Sequence, residues 1–216
     1  MKTVKTLVGG LCLCAAVGSC TPAAQQSGQA AQETPSKSEV VIENMMTRRS
    51  IRQYQPQAVG RDTMQTILNC GIHAPNGQNK QSWEVRVVDN PEFIDGLTEV
   101  FKKKNPQMAQ DPSFKNMFRN APTVAFIAHD TSYDMSQIDC GLLGANMVLS
   151  AWSMGVGSCC LGSPVRFMKT DKDAAPYLAK LGFSQGYELL YCIAFGYPAE
   201  TPAAKPRNAE KVKFVD

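Results

Sequence analysis

The chain has 216 residues, with 22 Lys and Arg against 19 Asp and Glu. Two of the lysines, Lys2 and Lys5, stand in a leader without acids, so from residue 20 onward 20 basic residues face 19 acidic ones and the chain is nearly neutral. That balance argues against a nucleic-acid binder, which would show a basic face or stripe, and any anionic ligand must be met by a local cluster rather than a global field.

Residues 1–19 carry the two lysines, an apolar stretch from Leu7 to Val17 and then small residues, which is the pattern of a secretory signal. The stretch is too short for a permanent span, which needs about 20 apolar residues. Its end, Val17-Gly18-Ser19-Cys20, resembles the lipobox of bacterial lipoproteins. Cleavage before Cys20 and lipidation of that residue are therefore expected, which makes the protein exported and lipid-anchored at the periplasmic or surface face of a bacterial membrane. Residues 20–38 are rich in Ala, Gln, Ser, Pro and Thr, cannot bury enough surface to fold, and read as a flexible tether. Residues 39–216 suit one domain with a substantial core.

Within that domain, helical periodicity covers Val40 to Met46 and Arg61 to His73, where Met64, Ile67, Leu68 and Gly71 recur at three- and four-residue steps. Trp83 to Val88 predicts a strand. Pro91 to Lys104 predicts a helix with Phe93, Ile94, Leu97 and Phe101 on one face. Thr123 to Ala128 predicts a second strand. Gln137 to Met154 predicts a helix apolar nearly all round, hence buried centrally or at a subunit interface. Gly155 and Gly157 end it, Ser158 to Leu161 predicts a strand, Lys172 to Leu181 a helix and Leu189 to Phe195 a last strand. The tail from Thr201 reads as irregular. The order lacks strict βαβ alternation and a GxGxxG after a strand, which disfavours a Rossmann domain and favours an α+β layered domain.

Five cysteines remain after the leader and Cys20: Cys70, Cys140, Cys159, Cys160 and Cys192. The odd count without paired spacing is unlike a disulfide framework, and the absence of CxxC with only His73 and His129 speaks against a metal site. The vicinal pair Cys159-Cys160 is expected to pack as small buried hydrophobes. Four runs carry more chemistry. Thr47 to Tyr54, TRRSIRQY, offers three guanidinium groups and a serine, forked donors suited to phosphate oxygens or to a solvated helix end. Ala74 to Trp83, APNGQNKQSW, gathers amides fit for a heterocycle edge or a polar surface loop. Gly155 to Pro164, GVGSCCLGSP, leaves backbone N–H groups open to a ligand. Gly196-Tyr197-Pro198 is followed by Lys205-Pro206-Arg207, two cations in an irregular tail.

Taken together and in this order, the four runs resemble the nitroreductase family of FMN-dependent oxidoreductases over nearly all of residues 39–216. The resemblance implies a three-layer α+β fold, with a mixed or antiparallel central sheet flanked by helices, in an intertwined homodimer with FMN at the interface. The Gln137 to Met154 helix suits the dimer core. By position, Arg48, Arg49, Ser50 and Arg52 would meet the FMN phosphate and ribityl chain, and Lys205 and Arg207 would close on the same phosphate. Pro75, Asn76, Asn79 and Gln81 would contact the flavin, and Leu161, Gly162 and Ser163 would line its reactive edge. The implied reaction passes hydride from NAD(P)H or another reduced carrier through FMN to nitroaromatic, quinone or similar acceptors. No catalytic side chain and no metal ligand is implied. Two other readings keep the fold: a flavin-binding lipoprotein without turnover, and a reductive dehalogenase-like relative in which Asn90 to Arg119 serves as a lid.

Overall fold

The computed structural model describes residues 34–215, and Ser36–Asp216 forms one compact unit. The leader, Cys20 and most of the tether lie outside the described residues. Helix α1, Lys37–Thr47, starts at a capping box: the Ser36 side chain accepts from the Glu39 backbone N–H, and Glu39 accepts from the Ser36 N–H at 2.7 Å. Then come α2 (Arg61–Ile72), β1 (Trp83–Val88), α3 (Pro91–Lys104), α4 (Pro106–Gln110), β2 (Thr123–Asp130) and α5 (Ser136–Ser153). The unit closes with β3 (Gly157–Leu161), α6 (Ser163–Thr170), α7 (Ala175–Lys180) and β4 (Tyr187–Gly196).

The four strands form a wholly antiparallel sheet in the order β1-β2-β4-β3. Strand alternation divides the interior in two, because successive side chains leave opposite faces. Val124 and Phe126 of β2, Cys192 and Ala194 of β4, and Cys159 and Leu161 of β3 face α3, α6 and α7 through Ile94, Leu97, Val165, Met168 and Leu181. Ala125, Ile127, Ile193 and Phe195 face α2 and α5 through Met64, Ile67, Leu143, Met147 and Ala151. The result is the expected three-layer α+β arrangement, its sheet antiparallel throughout.

Three helices depart from the sequence expectation, the first being α4, which no expected element covers. The segment after β3, for which no element is expected, forms α6, and the helix expected over Lys172 to Leu181 is shortened to α7. Helix α5 is buried on one side only. Asp139, Cys140, Leu143, Gly144, Met147 and Ala151 turn inward, whereas Ile138 and Leu142 stay 54% and 38% exposed on the outer side. Close packing against β4 depends on Gly144. A Cβ there would meet the Tyr191 hydroxyl at 2.0 Å, and that hydroxyl donates to the Cys140 carbonyl at 2.6 Å.

Candidate functional site

Ile51 is 1% exposed and anchors the arginine run under the edge of β3, where its N–H donates to the Ser158 carbonyl at 2.9 Å. Ser50 and Ser158 form a parallel bridge. With Ile51 turned inward, the extended backbone sends Ser50 and Arg52 the other way. On its second side the run is held by the chain after β4. Gln55 N–H donates to Tyr197 O and Ala199 N–H to Gln53 O, both at 2.9 Å, and the Glu200 carboxylate accepts the backbone N–H groups of Arg52 and Gln53. The Tyr54 hydroxyl donates to the Ile51 carbonyl at 2.5 Å, and burial pushes its pKa up.

The three arginines do not act alike. Arg49 turns back, its guanidinium donating to the Met46 and Arg48 carbonyls at 2.7 and 2.9 Å, where a cation completes the C-terminus of α1. Arg48 and Arg52 lie close enough to Cys159 to offset the upward push that burial gives its thiol, and Arg119 joins them. Arg119 was not foreseen. It stands beside Asn120 in a turn where both residues take left-handed φ values of 61° and 63°. The turn is tied by Asn120, which accepts from the Lys115 and Asn116 N–H groups and donates to Ser113 O, and by Asn116, which donates to Ala121 O.

Arg52, Arg119 and Ser163 line one cleft of about 900 Å³, backed by Phe101, Phe114 and Met117. That volume lies within the range of small-molecule sites. Within the segment Asn90 to Arg119, residues of α3 and α4 and the turn at Arg119 form a wall of this cleft. Ser163 opens α6, so its N–H has no intrahelical partner, and Gly162 beside it is exposed while Leu161 is buried at the end of β3. Cys159 and Cys160 take opposite faces of β3. Cys159 is buried as expected, but Cys160 is exposed, because alternation carries it away from the core. Neighbouring protein still desolvates the Cys160 thiol and, with Cys159 beside it, raises its pKa.

The amide loop sits elsewhere. Asn76 is half-buried and Pro75, Asn79 and Gln81 are exposed, with Asn76 Oδ1 accepting the Gln81 N–H at 2.9 Å. Asp139 at the start of α5 accepts from the Gly77 N–H at 2.9 Å and the Ser82 hydroxyl at 2.7 Å. At the other end of α5, Trp152 Nε1 donates to the Thr47 hydroxyl, next to the arginine run. From Asp139 to Trp152 the helix rises about 20 Å, so the loop and the arginines stand at opposite ends of α5 and not at one point. Lys205 and Arg207 are exposed in the tail. Arg207 donates to the Lys205 carbonyl at 3.0 Å, and among the described residues neither cation has a carboxylate partner. Since Glu200 is fixed to the run, Lys205 follows on a tether of five residues, at most about 18 Å long.

The Nitroreductase family matches residues 45–197, from the end of α1 to the residue after β4. A protein of Archaeoglobus fulgidus named as an NADH dehydrogenase/NAD(P)H nitroreductase is 26% identical over 167 residues, 75% of this chain and 87% of its own length. An NADPH-flavin oxidoreductase of Vibrio harveyi is 24% identical over 77% of this chain and 69% of its own. Among solved structures, a nitroreductase of Bacteroides fragilis with bound FMN superposes with a TM-score of 0.70 at 26% identity, covering 82% of this chain and 98% of that one. The match takes in the arginine run, the amide loop, α5 and the end of β3, the same parts that the hydrogen bonds above organise, and the chain belongs to the Nitroreductase family.

Proposed function

We propose that this chain is an FMN-dependent oxidoreductase that passes reducing equivalents from NAD(P)H or another reduced carrier to nitroaromatic, quinone or similar acceptors. The observation that carries the reading is the shared cleft of Arg52, Arg119 and Ser163, next to an arginine run bonded along β3. The residues fit the group. Arg48 and Arg52 have no carboxylate ion pair among the described residues, Ser50 offers a hydroxyl between them, and the end of β3 offers a backbone N–H donor. Bound FMN supplies the two-electron chemistry. Arg48, Ser50, Arg52 and Arg119 hold its phosphate, joined by Lys205 and Arg207 from the tail. Arg49 serves α1 and contributes charge without direct contact. Asn76, Asn79 and Gln81 address the heterocycle edge, with Pro75 flanking it. Leu161 would form the wall beside Gly162 and Ser163, whose N–H groups would orient the reactive edge of the bound group, with the arginines supplying positive charge nearby.

The working unit is a homodimer. Helix α1 exposes Val40, Val41, Ile42, Met45 and Met46, each about half exposed or more, α5 adds Ile138 and Leu142, and the tail adds Val212 and Phe214 at 82% and 100%. Apolar surface of that extent is normally covered by a partner. The expected anchor bears on the donor: lipidation at Cys20 with the tether of residues 20–38 would hold the domain outside the cytoplasm, and the donor there would be another reduced carrier in place of NAD(P)H. Anaerobic titration of the FMN-loaded chain with NADH, NADPH and dithionite tests this. A yellow protein reduced by dithionite supports the reading, and a chain that retains no flavin after excess FMN is removed and shows no saturable FMN binding sinks it. Palmitate labelling lost in Cys20→Ser checks the anchor.

A further inference from the structure

The loop after α2 runs against the preferences of its own residues. Gln78, Asn79 and Gln81 all take left-handed backbone angles, with φ of 54°, 54° and 49°. Three such residues in one short segment persist only where the surroundings over-determine the path. Those surroundings converge on one side chain. Asp139 is 2% exposed in an otherwise apolar helix face, its Oδ1 accepts the Gly77 N–H and its Oδ2 accepts the Ser82 hydroxyl. The two donors bracket the strained residues. Beneath the loop, a Cβ at Gly77 would meet the Tyr133 hydroxyl at 2.1 Å, and the Lys80 ammonium lies 4.1 Å from the centroid of the same ring.

A buried carboxylate is costly unless it is paired, and no cation pairs with Asp139 among the described residues. Both its hydrogen bonds go to the loop, so its burial serves the loop rather than the core. We propose that Asp139 is the positioning residue that fixes the shape of residues 75–81 for the flavin heterocycle, acting through Gly77 and Ser82 without touching the cofactor. The inference rests on the FMN reading above.

The test is equilibrium titration of the full chain with FMN and with riboflavin, which share the heterocycle and differ in the phosphate. Asp139→Ala raises both dissociation constants about tenfold and leaves their ratio unchanged, as expected for losing a hydrogen bond to a charged group. Asp139→Asn keeps one acceptor, can donate to the Ser82 oxygen, and restores both constants to within about threefold of wild type. Ser82→Ala removes one of the two bonds, shifts both constants in the same direction by less, and stands in if Asp139→Ala fails to fold. General loosening would lower the number of sites per chain rather than the affinity of each. Unchanged constants in Asp139→Ala and Ser82→Ala overturn the inference, as does weakening of FMN alone. A wild-type chain that binds neither flavin overturns the cofactor reading and this inference with it.

Discussion

The two cationic segments at opposite ends of the domain have the same chemistry and different architecture. Arg48 to Arg52 is fastened on two sides, by Ser158 of β3 and by the chain from Tyr197 to Glu200, with Ile51 as its buried nail. Lys205 and Arg207 have hydrogen bonds only within the tail. A fastened cation meets an anion at little cost in order, whereas a tethered one must be immobilised when it binds. In the proposed phosphate clamp the arginine run would be the part in place before the ligand arrives, and the tail the part that the ligand or a second subunit would recruit.

The contrast breaks most visibly at Ile51. Ile51→Ala removes a fully buried side chain and is expected to destabilise the domain by about 2–4 kcal/mol and to loosen the whole run; a guanidinium melt showing an unchanged midpoint would mean that the run is held elsewhere. Next in size, Arg52→Ala combined with Arg207→Ala should weaken FMN about 100-fold with riboflavin little affected, and each single change about tenfold. Unchanged FMN affinity in the double variant would dissolve the clamp even with the fold intact. Removing residues 201–216 should leave the monomer's melting temperature nearly unaltered, since surface segments contribute little, while sedimentation shows a weakened dimer. A large drop in melting temperature would place the tail among the fastened parts.

The smallest effect is a change of rate. Burial raises the Cys160 thiol pKa, so little thiolate exists near neutral pH. Alkylation by iodoacetamide should be slow at pH 7 and climb up to about tenfold per pH unit until the thiol titrates. Bound FMN should slow it further, because Cys160 adjoins the wall at Leu161 to Ser163. Equal rates with and without FMN would move the cofactor away from β3.

The elements legible in the sequence are those long enough to repeat a period. The inward stripe of α2, the face of α3 and the β-branched strands stood at or within a few residues of their observed bounds. Helix α6 escaped because eight residues give only two turns, and its buried Pro164, Val165 and Met168 follow a glycine-rich run that reads as a turn. Helix α4 buries nothing, so no pattern marks it. In the site, residue type identified the arginine run, but nothing in the order Arg48-Arg49 says that the second guanidinium turns back onto α1. Arg119 has no motif around it; its place depends on a left-handed turn tied by the side chains of Asn116 and Asn120, whose hydrogen bonds span 4 to 7 residues. The role of Asp139 was hidden for the same reason, since its partners lie 57 and 62 residues earlier.

The opposed faces of Cys159 and Cys160 have a practical consequence. As long as β3 keeps its ladder, the two sulfurs cannot approach each other, so air oxidation cannot close a bridge between neighbours within the strand. Among the described cysteines Cys160 is the exposed one. A spin label or an environment-sensitive dye attached there would report, without any redesign of the chain, when the adjacent wall becomes covered.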